Sequence, residues 1–183
     1  MADQTIQKID MESNETNELA QAITLLHADQ ITKYDSVDTF MPYNPIRRDE
    51  AAKMYVNFEK NTLGINDVVD DHKSCYFTDT HLWHSDLVDL IRESCLRGLF
   101  KGYVWSFMPT SSITNAQAVI VLIRMIKWEQ VEPVDDHYAT NYMTVAQDMG
   151  LLDGLAISAR SYWDAPATRA TIAKLLYRAD PKK

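Results

Sequence analysis

Three groups of side chains in this 183-residue chain could do chemistry. The first is a cluster of acids and imidazoles: Asp70, Asp71, His72, Asp79, His81, His84 and Asp86. His81-x-x-His84 stands at the start of a predicted helix and could present two imidazoles to a metal ion. A metal site also needs further converging ligands with support behind them, and an acidic, His-bearing surface linker accounts for the same letters. The second group is Cys75 and Cys95. A nucleophilic role for either rests on residue type alone; as a pair they fit a reducing interior and also fit one disulfide. The third group is Arg48 and Arg169, each in the first turn of a predicted helix. Free N–H groups and the positive dipole end attract an anion there, and an arginine adds a two-pronged donor for a carboxylate.

The elements that must position these groups come from a repeat. Phe40-Met41-Pro42 recurs as Phe107-Met108-Pro109, 67 residues on, and the same offset overlays Ile46 on Ile113 and Ala51 on Ala118. A further offset of 54 overlays Ser111–Ala116 on Ala165–Ala170. In that register three stripes recur at i, i+3, i+4, i+7: Ala51, Met54, Tyr55, Phe58; Ala118, Val121, Leu122, Met125; and Ile172, Leu175, Leu176, Ala179. The middle helix also carries Val119, Ile120 and Ile123 and is expected to be the most buried. A preceding helix is predicted for each unit, with Leu19, Ile23, Leu26; Leu87, Leu90, Ile91, Leu96; and Tyr142, Val145, Ala146, Met149 on its inner face. Gly98 and Gly150 stand where a left-handed C-terminal residue is wanted, and Gln30 stands there in the first unit. Thr114 and Gln117 read as a capping box and Thr168 as an N-cap. Arg47 replaces a cap in the first unit, where Asn44 is the remaining candidate.

Each unit is thus helix, loop, helix, and none buries its stripe alone, so three must share one core. The division is a polar tail over 1–14, units over 15–60, 76–128 and 135–180, and linkers over 61–75 and 129–134. The fold class is all-α.

Composition sets the outer limits. Apolar residues at 46% and charged residues at 24% are globular values. A net charge of −8 argues against a nucleic-acid binder and against a polybasic membrane-surface protein. The longest apolar run, Ala118–Ile123, is six residues, far short of a transmembrane span. The first residues show no basic, apolar or A-x-A signal-peptide regions. Five glycines leave no phosphate loop, and neither GxGxxG nor GxxxxGK[ST] occurs.

The repeated motifs resemble S-layer homology (SLH) repeats. The middle unit carries Phe77-Thr78-Asp79, Trp83, Gly98-Leu99-Phe100-Lys101-Gly102, Phe107-Met108-Pro109 and Ile113-Thr114-Asn115-Ala116-Gln117. The third carries Gly150-Leu151-Leu152-Asp153-Gly154 and Ala167-Thr168-Arg169-Ala170-Thr171, and the first Ile46-Arg47-Arg48-Asp49-Glu50-Ala51, without an F-x-D start. The resemblance covers about residues 15–179. It implies a pseudo-threefold bundle with three grooves between units, a location at the cell surface or in the periplasm, and noncatalytic binding of anionic, often pyruvylated, secondary cell-wall polysaccharide or a peptidoglycan-linked glycan. No cofactor is implied.

On that resemblance the glycan-binding candidates are Arg48, Arg169, Asn115, Asp79, Trp83, Glu50, Tyr103 and Trp163. Asn115 takes the arginine position in the middle unit without a charge, so grooves built on Arg48 and Arg169 rank above it. The family's loop is rich in glycine, whereas Tyr103-Val104-Trp105-Ser106 is bulky and could fill a groove. Two other readings stand beside this one: a structural surface-layer or assembly subunit that contacts envelope proteins, and a metal-binding or enzymatic protein using the cluster at 70–86.

Overall fold

The computed structural model describes residues 16–67, 75–80, 85–127 and 137–183. Seven α-helices lie among them: α1 (16–28), α2 (Val37–Phe40), α3 (Arg48–Asn61), α4 (Ser85–Leu96), α5 (Asn115–Lys127), α6 (Thr140–Asp148) and α7 (Arg169–Ala179). The described residues form isolated β-bridges and no longer strand, so the protein is all-α. The predicted tail, the linker at 129–134 and the Asp70, Asp71, His72, His81, Trp83 and His84 positions lie outside the described residues.

The amphipathic stripes pack as their spacing requires. Ala51, Tyr55, Phe58, Ala118, Leu122, Ile172, Leu175 and Leu176 are wholly buried in one core that also takes in Ile23, Leu26 and Ile91. Val119, Ile120 and Ile123 of α5 are buried as well, which leaves that helix little solvent face. One position departs from expectation. Met149 is exposed because α6 ends at Asp148 and the chain turns out through Gly150 at φ 72°. Met143 takes a core place instead.

The helices meet in a regular order. α3, α5 and α7 contact one another. α3 also packs on α4 and α5 on α6, while α7 meets α1 through Arg178–Glu18 (2.7 Å) and Tyr177–Gln21 (2.5 Å). At the centre three backbone hydrogen bonds close a ring. Ile46 N–H donates to Ala167 O (2.9 Å), Ala167 N–H to Ile113 O (2.8 Å), and Ile113 N–H to Ile46 O (3.3 Å). These are the residues that the sequence offsets overlay.

Turn chemistry follows the predicted punctuation. Gly98 and Gly150 are left-handed, and so is Gln30 at φ 58°. Thr114 and Gln117 form the reciprocal capping box at 3.2 Å each way, and Thr168 Oγ1 accepts Thr171 N–H (3.1 Å). Asn44 does not cap α3. Glu50 reaches back to Arg47 N–H (3.1 Å) and Asp49 Oδ1 accepts Glu50 N–H (2.7 Å), so acids inside the first turn replace the missing cap. Cys75 and Cys95 form a disulfide between the segment 75–80 and the last turn of α4.

Candidate functional site

The starts of α3, α5 and α7 do not offer bare amides. Arg48 and Asp49 N–H donate to Ser111 O and Pro109 O (2.8 and 3.1 Å). Asn115 and Ala116 N–H donate to Ala165 O and Trp163 O (3.0 and 2.9 Å), and Arg169 and Ala170 N–H to Asn44 O and Pro42 O (3.0 and 2.8 Å). The next amide of each helix binds a side chain. The expectation of an anion held by helix-start N–H groups is therefore corrected: turn carbonyls from elsewhere in the chain already occupy them. Any anion must be held by side chains.

Arg48 and Arg169 share one arrangement. The Arg48 guanidinium lies over Phe100 (5.2 Å) and Phe107 (4.9 Å), and the Arg169 guanidinium over Tyr34 (4.9 Å) and Phe40 (4.8 Å). In each the Nε–H is buried and donates to no acceptor. Phe40 and Phe107 are fully buried, so the Phe-Met-Pro turns plug the core and floor the arginines.

Their surroundings differ. Arg48 donates to Lys101 O (2.6 Å). Burial and the nearby Arg124 lower its pKa to about 10, with Asp79 pulling the other way, so it stays charged at neutral pH. Arg169 pairs with Glu50 (3.3 Å), which is itself 42% exposed. Together they border a cavity of about 290 Å³ lined by Ile31, Thr32, Lys33, Tyr34, Glu50, Lys53, Met54, Leu87 and Arg169. Three cations face one acid there. A second cavity of about 550 Å³ lies over α7, with Leu19, Tyr43, Ile157, Thr168, Thr171 and Lys174 in its wall.

The remaining sequence candidates divide. Asn115 is buried, and its Nδ2 donates to Tyr162 O (2.9 Å), so it braces the 160–165 turn. Asp79 accepts Ser106 Oγ–H (2.6 Å), Phe107 N–H (2.9 Å) and Met108 N–H (2.7 Å). Burial works against its charge, but these bonds outweigh it and hold the carboxyl below the usual carboxylate range. Asp79 thus organises a turn and has little left for a ligand. Trp163 is 8% exposed, stacked edgewise on His137 at 5.0 Å, and is a core residue rather than an open sugar platform. Tyr103 is fully outside the core at 75% exposed. No group of three or more His, Cys, Asp or Glu among the described residues could hold a metal. No described helix is long and apolar enough to cross a membrane.

Lys33, Lys53 and Lys174 were not singled out from sequence. The signal was present: Lys53 follows Arg48, and Lys174 follows Arg169, by five residues, whereas Ile120 follows Asn115 at that spacing. No family model matches the chain, and no curated protein matches it.

Proposed function

We propose that the protein is a noncatalytic binding module for an anionic envelope glycan, built from three SLH-like units around a pseudo-threefold axis. The cavity beside Arg169 carries this reading. Lys33, Lys53 and Arg169 converge there against the single carboxylate of Glu50, in a chain whose overall charge is −8. A local positive pocket in an acidic protein selects for a compact anion and repels polyanions elsewhere on the surface. A sugar-borne carboxylate suits both a two-pronged guanidinium and a mobile ammonium.

The repeat reading draws support from the ring of hydrogen bonds among Ile46, Ile113 and Ala167. It draws more from the two arginines, each laid over two aromatic rings at the same register. The Cys75–Cys95 disulfide favours an oxidising compartment, as at a cell surface or in a periplasm. The test is co-sedimentation with purified cell-wall sacculi over a salt series. Wild-type protein is retained at low salt, and Arg169→Ala with Lys53→Ala releases it. No wild-type retention at low salt overturns the proposal and leaves an assembly subunit as the reading.

A further inference from the structure

The turn at 103–106 offers a surface of a different kind. Tyr103, Val104 and Trp105 are 75%, 74% and 54% exposed, and Met108 just beyond is 44% exposed. The turn is a two-residue hairpin closed by Tyr103 N–H to Ser106 O (2.9 Å) and Ser106 N–H to Tyr103 O (3.0 Å). Val104 sits at φ 56°, a left-handed conformation that a β-branched residue adopts only under constraint.

The constraints are visible. Thr78 donates its N–H (2.8 Å) and Oγ1–H (3.1 Å) to Trp105 O. Asp79 clamps Ser106, Phe107 and Met108. The disulfide at Cys75 ties the segment bearing Thr78 and Asp79 to α4. Gly102 lets the chain pass against Phe77, where a Cβ would fall 2.3 Å from the ring. The fold therefore fixes the backbone that carries these exposed apolar side chains, and aromatics, with two side-chain torsions each, lose little freedom when they bind.

We infer that Tyr103 and Trp105 form a stacking platform for the uncharged ring face of a sugar. This inference rests on the glycan reading and extends it to a second, neutral contact. A stable protein interface needs about 800 Å² per partner, more than a two-residue turn supplies. The chain's charge of −8 disfavours an anionic lipid surface. Aromatic faces accept sugar C–H groups, and the Tyr103 hydroxyl hydrogen-bonds their hydroxyls. The turn also borders Arg48, which donates to Lys101 O just before it.

The test uses the full chain with two probes: sacculi stripped of anionic polymer by hydrofluoric acid, and a neutral β-linked N-acetylglucosamine oligomer. Wild-type protein is retained on stripped sacculi independently of salt, and the oligomer shifts the Trp105 indole resonance. Tyr103→Ala with Trp105→Ala weakens that retention about tenfold, whereas Arg169→Ala with Lys53→Ala leaves it unchanged. Val104→Gly keeps the hairpin and the binding, which separates lost contact from lost fold. Equal retention of the double aromatic variant overturns the platform. So does an unmoved Trp105 resonance with no wild-type retention, and so does a wild-type dimer that Trp105→Ala converts to monomer. Loss of salt-dependent binding to native sacculi, by contrast, counts only against the Arg169 cavity.

Discussion

Arg48 and Arg169 begin as the same device and end as different ones. Each opens a helix, and each lies over two aromatic rings. Beside Arg169 the neighbouring loop is Thr32-Lys33-Tyr34, and the space that remains is a cavity edged by Lys33 and Lys53. Beside Arg48 lie Phe100, Phe107 and Arg124 of α5, and the loop after Lys101 climbs into the Tyr103–Ser106 hairpin. A repeated arginine thus keeps the same aromatic floor at both junctions while its polar partner changes, from the Lys101 carbonyl at one to the Glu50 carboxylate at the other.

The largest effect comes from removing the disulfide, which anchors the segment whose Asp79 clamps the turn beside Arg48. Cys75→Ala with Cys95→Ala opens a loop closed over a separation of 20 residues, and chain entropy alone assigns that about 3 kcal/mol. Urea unfolding at neutral pH measures it. The double variant should lose this stability while the salt-dependent binding assigned to the Arg169 cavity survives in the folded fraction. A loss of both in proportion would mean the two junctions are not separable.

Next comes Arg48→Ala against Arg169→Ala. Arg48 gives up two ring contacts and a charge-assisted bond to Lys101 O, for a cost of about 2 to 3 kcal/mol. Arg169 loses equivalent ring contacts, but its ion pair is with the 42%-exposed Glu50, so about 1 to 2 kcal/mol is expected. Binding to sacculi should show the opposite order. Equal stability losses would erase the distinction.

Most of the scaffold could be read from the letters, because it depends on local rules that are periodic. The stripes at Ala51–Phe58, Ala118–Met125 and Ile172–Leu176, the left-handed Gln30, Gly98 and Gly150, and the Thr114–Gln117 box all follow from helix geometry or capping. What Asp79 and Trp163 hold could not be read locally, because their partners, the 106–108 turn and His137, lie 26 or more residues away. The helix-start amides looked open for the same reason: the carbonyls that fill them come from a different unit. Lys53 and Lys174 share one register in the repeat, yet a lysine on a helix reads from sequence as ordinary solvated charge even where, as at Lys174, the fold buries it.

Acid offers a gentler probe of the Arg48 side. The Asp79 carboxyl is held below its ordinary value by Ser106 and the Phe107 and Met108 amides. A depressed carboxylate contributes stability that is present above its unfolded value of about 4 and fades as pH falls through the folded value. Lowering pH below about 4 should therefore loosen the 103–108 turn, visible as a change in the Trp105 environment. Asp79→Asn should remove that step and cost about 1 kcal/mol at neutral pH. A Trp105 signal that titrates identically in the variant would assign the step elsewhere.

The smallest change in stability, and the most direct test of the Arg169 cavity, is Glu50→Gln. Glu50 does two things: its Oε2 accepts Arg47 N–H, and its Oε1 accepts from Arg169. Glutamine retains an acceptor for the first role, so α3 should keep its start and its stability within about 0.5 kcal/mol. The second role changes sign. Without the carboxylate, Arg169, Lys33 and Lys53 face a bound anion with no competitor in the cavity wall. Retention on native sacculi should rise about threefold at low salt, and the gain should shrink as salt screens it. A loss of binding would instead make Glu50 a hydrogen-bond acceptor for the ligand, and Glu50→Asp separates the two, because it keeps the charge while withdrawing the reach.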